Sequence, residues 1–478
     1  MSTATRPTGL FVDGEWRPPR GRILVRDKYS GEVVAELAEA TAADVKDAVA
    51  GAYRACAKPL GEAERARILS AVADSLEARA ADLVEDYVAE TGFTIADARN
   101  EVRRAVAIYR LSAQEALRIA GEQIPLGASP GGESRLAFTI RVPVGVVVAI
   151  APFNAPLSTV AHKVGPAIAA GNTVVLKPAE KTPLSAVNVV SAFAEAGLPP
   201  GFLQLVCAPG KVAGPALLDD DRVRFYTFTG STAVGRAISA GAGLARTHLE
   251  LGSNSVSIVA DDARLGDVVN LVATAGFRKA GQVCTSVQRI LVARSRFDEL
   301  TSALSERVGQ LRAGDPRAQD TDLGPLISEE EAVRAADWVE RAARSARLRQ
   351  GGVRERGLLT PALLADPAAD AEVLTQEIFA PVVSIVPVRD LDDAVAKVNE
   401  GAYGLQTGVF TQDLDRAMHA ARSLRVGGVM VNDTSSYHAD AMPYGGVKDS
   451  GHGVEGPRYA VHDMTDPRVI VLNLRRPK

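Results

Sequence analysis

Cysteine is nearly absent from this 478-residue chain, and Cys56, Cys207 and Cys284 are too few and too dispersed for a disulfide framework or a cysteine-rich metal centre. No metal site is expected, and the odd count leaves at least one thiol free. Net charge is equally sparse: 54 lysines and arginines face 58 aspartates and glutamates, a formal -4 that creates no field to draw in a polyanion. Nucleic acid is therefore not an expected partner. No segment offers about 18 uninterrupted apolar residues, so no membrane span is expected. The opening MSTATRPTGLFVDGEW has neither the basic end nor the apolar run of an exported chain, which points to the cytoplasm. Internal repeats and low-complexity tracts are also missing.

What is present is a globular mixture, 46% hydrophobic and 23% charged, in a chain too long for one core. At roughly 100 to 200 residues per domain, two to four domains are expected. A hairpin is predicted at Asp13-Gly14, then a helix over about Glu62 to Thr91 that Gly92 ends, then a second helix over about Glu101 to Ala120. Pro125 to Gly132 is turn-rich and reads as a connecting arm. From Val144 the rhythm changes. Short apolar runs (VGVVVAIAP, NTVVLKP, LQLVC, FYTFT) alternate with helix-length stretches, Leu157 to Ala170 and Pro183 to Ala196. That alternation predicts crossover units and a largely parallel sheet, a usual scaffold for a dinucleotide. A second such block spans about Asn254 to Asn432, with SVSIV, RILVA, VVSIVPV, GVFT and GVMVN as candidate strands. The last run, RVIVLNL at 468 to 474, has nothing after it to pack on and is expected to pair with another subunit.

Three short segments carry candidate chemistry. In FTGSTAVGR a strand is followed by Gly230-Ser231 and a helix starting near Thr232, a turn whose small residues would let a phosphate reach the helix N-terminus. Such a turn also occurs for geometry alone. In LELGSNS, Glu250 stands between two leucines, where desolvation raises a carboxyl pKa and suits a general base; an ion-paired structural glutamate is the alternative. In GQVCTS, Cys284 follows a stretch, about Val268 to Ala280, that reads as helix. A thiol becomes an effective nucleophile only where its surroundings favour thiolate, and an isolated cysteine is otherwise a small buried apolar group, the reading given to Cys56 and Cys207.

Seven strings in order, PFNAP (152–156), KPAEKTP (177–183), FTGSTAVG (228–235), LELGSNS (249–255), GQVCTS (281–286), EIFAPV (377–382) and MPYGGVKDSG (442–451), make the chain resemble the aldehyde dehydrogenase superfamily over essentially its whole length. The resemblance implies an α/β fold: a Rossmann-type NAD-binding domain (1–120, 140–249 and 446–462), a second α/β catalytic domain (250–445) and a small β oligomerisation arm (121–139 and 463–478) of a homodimer or homotetramer. It also implies roles. Cys284 attacks the aldehyde carbon, the Asn154 amide and the Cys284 backbone N–H receive the oxyanion, and Glu250 activates the water that cleaves the resulting thioester. Lys177 and Glu180 hold the adenine ribose, Ser231 beside Gly230 meets the pyrophosphate, and Glu377 with Phe379 holds the nicotinamide ribose; Ile150, Pro152 and Leu251 complete the cofactor set. Glu180 favours NAD, with NADP the weaker cofactor, because a carboxylate accepts from a 2'-hydroxyl and repels a 2'-phosphate.

Phe153 stands where relatives carry another aromatic, and Ala155 opens space where many carry a bulky residue. SSYHADAMPYGGVKD (435–449) resembles the branch of lactaldehyde, phosphonoacetaldehyde and non-phosphorylating glyceraldehyde-3-phosphate dehydrogenases. The family pattern puts Arg104, His162, Thr285 and His438 at the substrate tunnel, with Ala155, Ser158, Thr159, Val283 and Tyr444. This polar lining implies a small polar or anionic aldehyde. For Arg104 the alternative is a surface pair with Glu101 or Glu115. Transfer of the acyl group to coenzyme A, or a silent structural relative, are the competing functions; the first generally lacks the glutamate, the second would lack Cys284, Asn154 or Glu250.

Overall fold

The computed structural model describes residues 7–18 and 21–474; the first six residues and 475–478, which end the proposed arm, lie outside the described residues. The four apolar runs, joined by Arg246–Glu250, become the parallel core of an eight-stranded sheet in the spatial order Leu203–Leu205, Thr173–Lys177, Val146–Ile150, Val223–Thr229, Arg246–Glu250. The chain enters at the middle strand, winds outward one way, then returns to wind outward the other way. The sheet thus has a switch point between Val146–Ile150 and Val223–Thr229, and ligands bind such sheets at the carboxyl ends of the strands beside that point. Alternate residues of one strand feed opposite cores: Val147 and Ala149 join one cluster, Val146 and Val148 the other. The predicted hairpin, Leu10–Val12 with Glu15–Arg17, closes one edge through Asp13 (φ 54°) and Gly14 (φ 85°), and Gly451–His452 pairs antiparallel with the other.

A second, seven-stranded sheet contains the five runs predicted between 254 and 432: Val256–Val259, Arg289–Ala293, Val382–Val388, Gln406–Phe410 and Gly428–Val431. The helical stretch beginning at Glu62 is two helices, Glu62–Ala78 and Ala80–Thr91, because Arg79 (φ -101°, ψ 19°) leaves helical geometry. Gly92 (φ 74°) ends the second as expected; a Cβ there would also press on Pro325 and Lys28. The next helix starts earlier than expected, at Ile95, because Thr94 accepts a hydrogen bond from the Asp97 N–H and caps it.

The terminal run has a strand partner within the chain and lies at the edge of a three-stranded sheet. Thr465–Asn473 pairs within the chain, antiparallel to Arg135–Pro143, from Thr465 opposite Pro143 to Asn473 opposite Arg135. Gln123–Ile124 adds a third strand, and the division drawn at 139/140 falls inside Arg135–Pro143. Val469, Val471 and Leu472 remain exposed on this ribbon. Among the described residues no helix is long and apolar enough to cross a membrane.

One helix is buried along its whole length. Ser158–Ala169 carries Ser158, Thr159, His162 and Lys163 into the interior, and buried polar groups need partners. Those partners build the site.

Candidate active site

After the helix Leu265–Phe277 the backbone turns through three consecutive left-handed residues, Lys279 (φ 52°), Ala280 (φ 52°) and Gly281 (φ 69°), on its way to Cys284. Such backbone costs a non-glycine residue about 1–2 kcal/mol, so the kink must be pinned from outside. Lys279 does this. Its buried Nζ donates to Glu101 Oε1 and to the Asn154 carbonyl, both at 3.0 Å, and lies over the Tyr87 and Phe93 rings. Gly281 is required by space, since a Cβ would meet the Ala380 carbonyl oxygen at 2.1 Å. Gln282 accepts from the Ile327 N–H at 3.0 Å and donates to the Lys279 carbonyl at 3.2 Å.

This pinned loop presents Cys284 Sγ 2.8 Å from the Tyr444 hydroxyl. Burial pushes the thiol up to about 12; the Tyr444 hydrogen bond pulls the other way, and the Glu250 and Glu377 charges add to the rise. Asn154 Nδ2 donates one hydrogen to the Gln282 carbonyl at 2.8 Å, and a primary amide keeps a second for an oxygen in the cavity.

Glu250 ends the strand Arg246–Glu250, and neither of its buried oxygens has a hydrogen-bond partner. Burial, followed by the like charge of Glu455, raises its pKa well above the carboxylate range, with Lys163 opposing. Glu455 goes the other way. Burial alone would raise it too, but Lys163 Nζ at 3.0 Å holds it at about 2. Two buried carboxyl groups thus have separated affinities: Glu455 is held ionised, and Glu250 is the one that holds its proton more tightly.

These groups surround a cavity of about 90 Å³, also lined by Arg104, His162, Thr285 and His438. All four tunnel residues inferred from the sequence are brought to it. Arg104 is not a surface residue: its Nη2 and Nε donate to Asp440 Oδ1 at 2.7 and 3.0 Å, and its Nη1 lies 3.6 Å from buried Glu101. His162 and His438 lie 3.3 and 3.5 Å from the same Asp440 oxygen. Burial opposes ionisation of Asp440, but these three neighbours hold its carboxyl far below the usual range. His162, His438 and Asp440 are the one group among the described residues whose donor atoms, all within 4.8 Å, have the make-up of a metal site. Arg104 already occupies the carboxylate, so we assign no metal there. A larger cavity of about 710 Å³ beside Arg289 and Tyr403 contains no cysteine, so size does not select the reactive site.

A nucleophile, an amide and a carboxyl of raised pKa around one small cavity match what comparison with known proteins finds. The aldehyde dehydrogenase family description matches residues 16–470. The chain belongs to this family. It is 45% identical to the 3-sulfolactaldehyde dehydrogenase of Priestia aryabhattai, over 99% of both chains, and 33% identical to the lactaldehyde dehydrogenase of Methanococcus aeolicus, over 98% of this chain and 100% of that one. The NADP-dependent glyceraldehyde-3-phosphate dehydrogenase of Bacillus halodurans, solved with NADP, superposes with a TM-score of 0.95 at 37% identity, covering 98% of this chain and 99% of the other. The protein is an NAD(P)-dependent aldehyde dehydrogenase with the family's α/β fold.

In this dehydrogenase the residues expected from the sequence to hold the cofactor fall in several places. Ile150, Lys177 and Glu180 line a largely apolar cavity of about 370 Å³ at the switch point, walled by Phe153, Leu217 and Ile238. Glu180 Oε1 accepts from the Gly210 N–H at 2.7 Å, and burial lowers the Lys177 pKa against the pull of Glu180. Phe379 meets Phe153 edge to face at 5.8 Å, while Glu377 accepts from the Ser253 N–H at 2.8 Å and is pushed up to about 7 by burial. Leu251 lines the Cys284 cavity instead. Pro152 stands in the chain between Ala151 and Phe153, which line the 370 Å³ cavity. Ser231 caps the helix Thr232–Gly241, accepting from the Val234 N–H. Gly230 has a local reason as well, because a Cβ would meet the Phe228 ring at 2.5 Å.

Sequence reasoning missed Arg278 and Asp440. The stretch ending at Ala280 reads as continuous helix, but the helix stops at Phe277, and Arg278 (φ -53°, ψ 146°) is extended into the cavity wall. A basic residue six positions before Cys284 was the available signal.

Proposed function

We propose that this aldehyde dehydrogenase oxidises a small, anionic or hydroxylated aldehyde to its acid, with Cys284 as nucleophile, Asn154 as oxyanion donor and Glu250 as base. The observation that carries this reading is the cavity of about 90 Å³ in which all three meet beside two arginines. Its lining is rich in charged and hydroxyl groups, which suits a short polar chain better than hexanal or benzaldehyde. Sulfolactaldehyde, lactaldehyde and glyceraldehyde-3-phosphate, named in the relatives above, are all short and polar.

The two arginines are not equivalent. Arg104 is compensated by Asp440 and Glu101, and Lys279 by Glu101. Arg278 makes one side-chain contact, donating to the Ser436 hydroxyl at 3.0 Å, and among the described residues no carboxylate pairs with it. We assign Arg278, supported by Arg104, His162, Thr285 and His438, to the substrate's charged end. Arg278→Ala and Arg104→Ala should each cost roughly ten- to a hundredfold in kcat/KM for a three-carbon sulfonate or phosphate aldehyde, the worth of a hydrogen bond to a charged group, and cost neutral lactaldehyde less. Preference for hexanal in the wild type, or indifference of both variants to the anionic substrate, overturns the assignment.

The chemistry follows from these positions. Cys284, protonated at rest because burial raises its pKa, gives its thiol proton to solvent as the sulfur bonds to the aldehyde carbon and the carbonyl π bond opens, and the oxygen turns toward Asn154 and the Cys284 N–H, whose donation strengthens as charge develops there. Bound NAD(P), seated by Ile150, Pro152, Lys177, Glu180, Gly230, Ser231, Leu251, Glu377 and Phe379, supplies the hydride acceptor. Glu250 then takes a proton from water, the hydroxide oxygen bonds to the thioester carbon, and the carbon–sulfur bond breaks to release the acid and free Cys284. A base in the cavity supports water rather than a thiol such as coenzyme A as acyl acceptor.

We also infer preference for NAD from the Glu180 carboxylate in the 370 Å³ cavity. Glu180 is exposed, so solvent screens its repulsion of a 2'-phosphate, and Glu180→Ala should shift specificity toward NADP by about fivefold. Comparing kcat/KM for both nucleotides checks this; equal wild-type values would remove Glu180 from the choice. The exposed apolar ribbon Thr465–Asn473 supports contact between copies in a homodimer or homotetramer, and the two sheets support the domain division given above.

A further inference from the structure

His248 has no place in the mechanism so far, yet it lies against the group we assign as the base. Residues 248 and 250 are two apart on one strand and so share a face of the sheet. His248 Nε2 lies 3.5 Å from Glu250 Oε1, and both side chains are buried. Both imidazole nitrogens and both Glu250 oxygens lack a hydrogen-bond partner. Buried polar groups are seldom left so, and four such atoms in one place call for a common explanation. Closing the gap to an ordinary hydrogen bond takes well under ~1 Å of side-chain movement. The imidazole cannot retreat, because the Gly453 backbone (φ 92°) packs on it: a Cβ at 453 would meet His248 Cδ2 at 2.5 Å.

We propose that His248 is a positioning residue for deacylation: as a neutral imidazole it donates its N–H to the Glu250 carboxylate, holding the base ionised and oriented in a dry cavity. The proposal rests on the assignment of Glu250 as the base. Burial favours a neutral ring, and Lys163, His452 and His162 act with it against the opposing charge of Glu455. Lys163 and His162 face it from the helix Ser158–Ala169, His452 from the edge strand, and Glu455 from the loop beyond. Burial is the largest effect and lowers the His248 pKa to about 4, while Lys163 is already paired with Glu455 at 3.0 Å. A neutral imidazole has one N–H to give, and donation to a carboxylate stabilises its charged form against desolvation.

The test is the pH dependence of steady-state turnover together with the NADH burst. In His248→Leu and His248→Met, which lack a donor, the rising limb of kcat should move up by about one pH unit, making turnover at neutral pH about tenfold slower, with the burst retained. His248→Gln, which restores an N–H, should return the limb toward wild type. Glu250→Gln is run alongside: if it does not slow deacylation, the base assignment itself fails. If Glu250→Gln stalls but the donor-free variants keep the wild-type limb, or His248→Gln behaves like His248→Leu, the role of His248 is overturned. Should the donor-free variants not fold, nitrogen NMR of the histidine-labelled wild type decides: a neutral His248 ring with one hydrogen-bonded N–H is expected, and a doubly protonated ring, or an N–H without a hydrogen-bond partner, also overturns the proposal.

Discussion

Cys284→Ala should bind the dinucleotide as the wild type does and make no acid. The thiol forms the bond to substrate, and the cofactor residues Lys177 and Glu180 line a different cavity. Removing a covalent nucleophile leaves the oxyanion donors with nothing to stabilise, so the expected loss in kcat is about four orders of magnitude or more. The backbone should tolerate the change, because the loop is pinned by Lys279, Gly281 and Gln282 rather than by the sulfur. Acid formation is followed with a short polar aldehyde, and nucleotide binding by fluorescence titration. Turnover well above the uncatalysed rate would remove Cys284 from the mechanism, and loss of nucleotide binding would mean that the substitution disturbs the loop rather than the chemistry.

Glu250→Gln should uncouple the two halves of the reaction. Hydride transfer does not require a base for water, so the variant should give a burst of about one NADH per site; deacylation should then slow by about 10²–10⁴-fold, the range of general base catalysis. The wild-type profile has a defined sign. Burial and Glu455 raise the Glu250 pKa, so the carboxylate fraction, and with it deacylation, should rise with pH at values above the ordinary carboxylate range. Glutamine cannot titrate, and that limb should vanish. Equal loss of burst and steady rate would place Glu250 in the first half of the reaction or in the structure alone.

The site is unevenly legible in the sequence. Cys284 and Glu250 are readable because each lies in a short string with a glycine that its surroundings require, Gly281 by the Ala380 carbonyl and Gly252 by Glu377 Oε2, which a Cβ would meet at 2.9 Å, and Asn154 is readable from the string PFNAP. The family pattern puts Arg104 at the tunnel, but its neutralisation by Asp440, 336 positions away, leaves no local trace. Arg278 is hidden by apolar spacing that continues past the true helix end. The partner of the terminal strand within the chain is not legible there either, since Arg135–Pro143 lies more than three hundred residues earlier.

By itself the sequence determined the two α/β blocks and the family, and it singled out Cys284, Asn154 and Glu250 as the candidates for nucleophile, amide and base, because alternating strand and helix patterns and short contiguous strings encode local geometry. Tertiary structure alone decided the electrical state of the cavity. It set which carboxyl holds its proton, which arginine is compensated and which is free, and which histidine stands beside the base. Those properties depend on burial and on charges a few ångströms apart in space but hundreds of residues apart in the chain, and desolvation acts on distance, not on sequence separation.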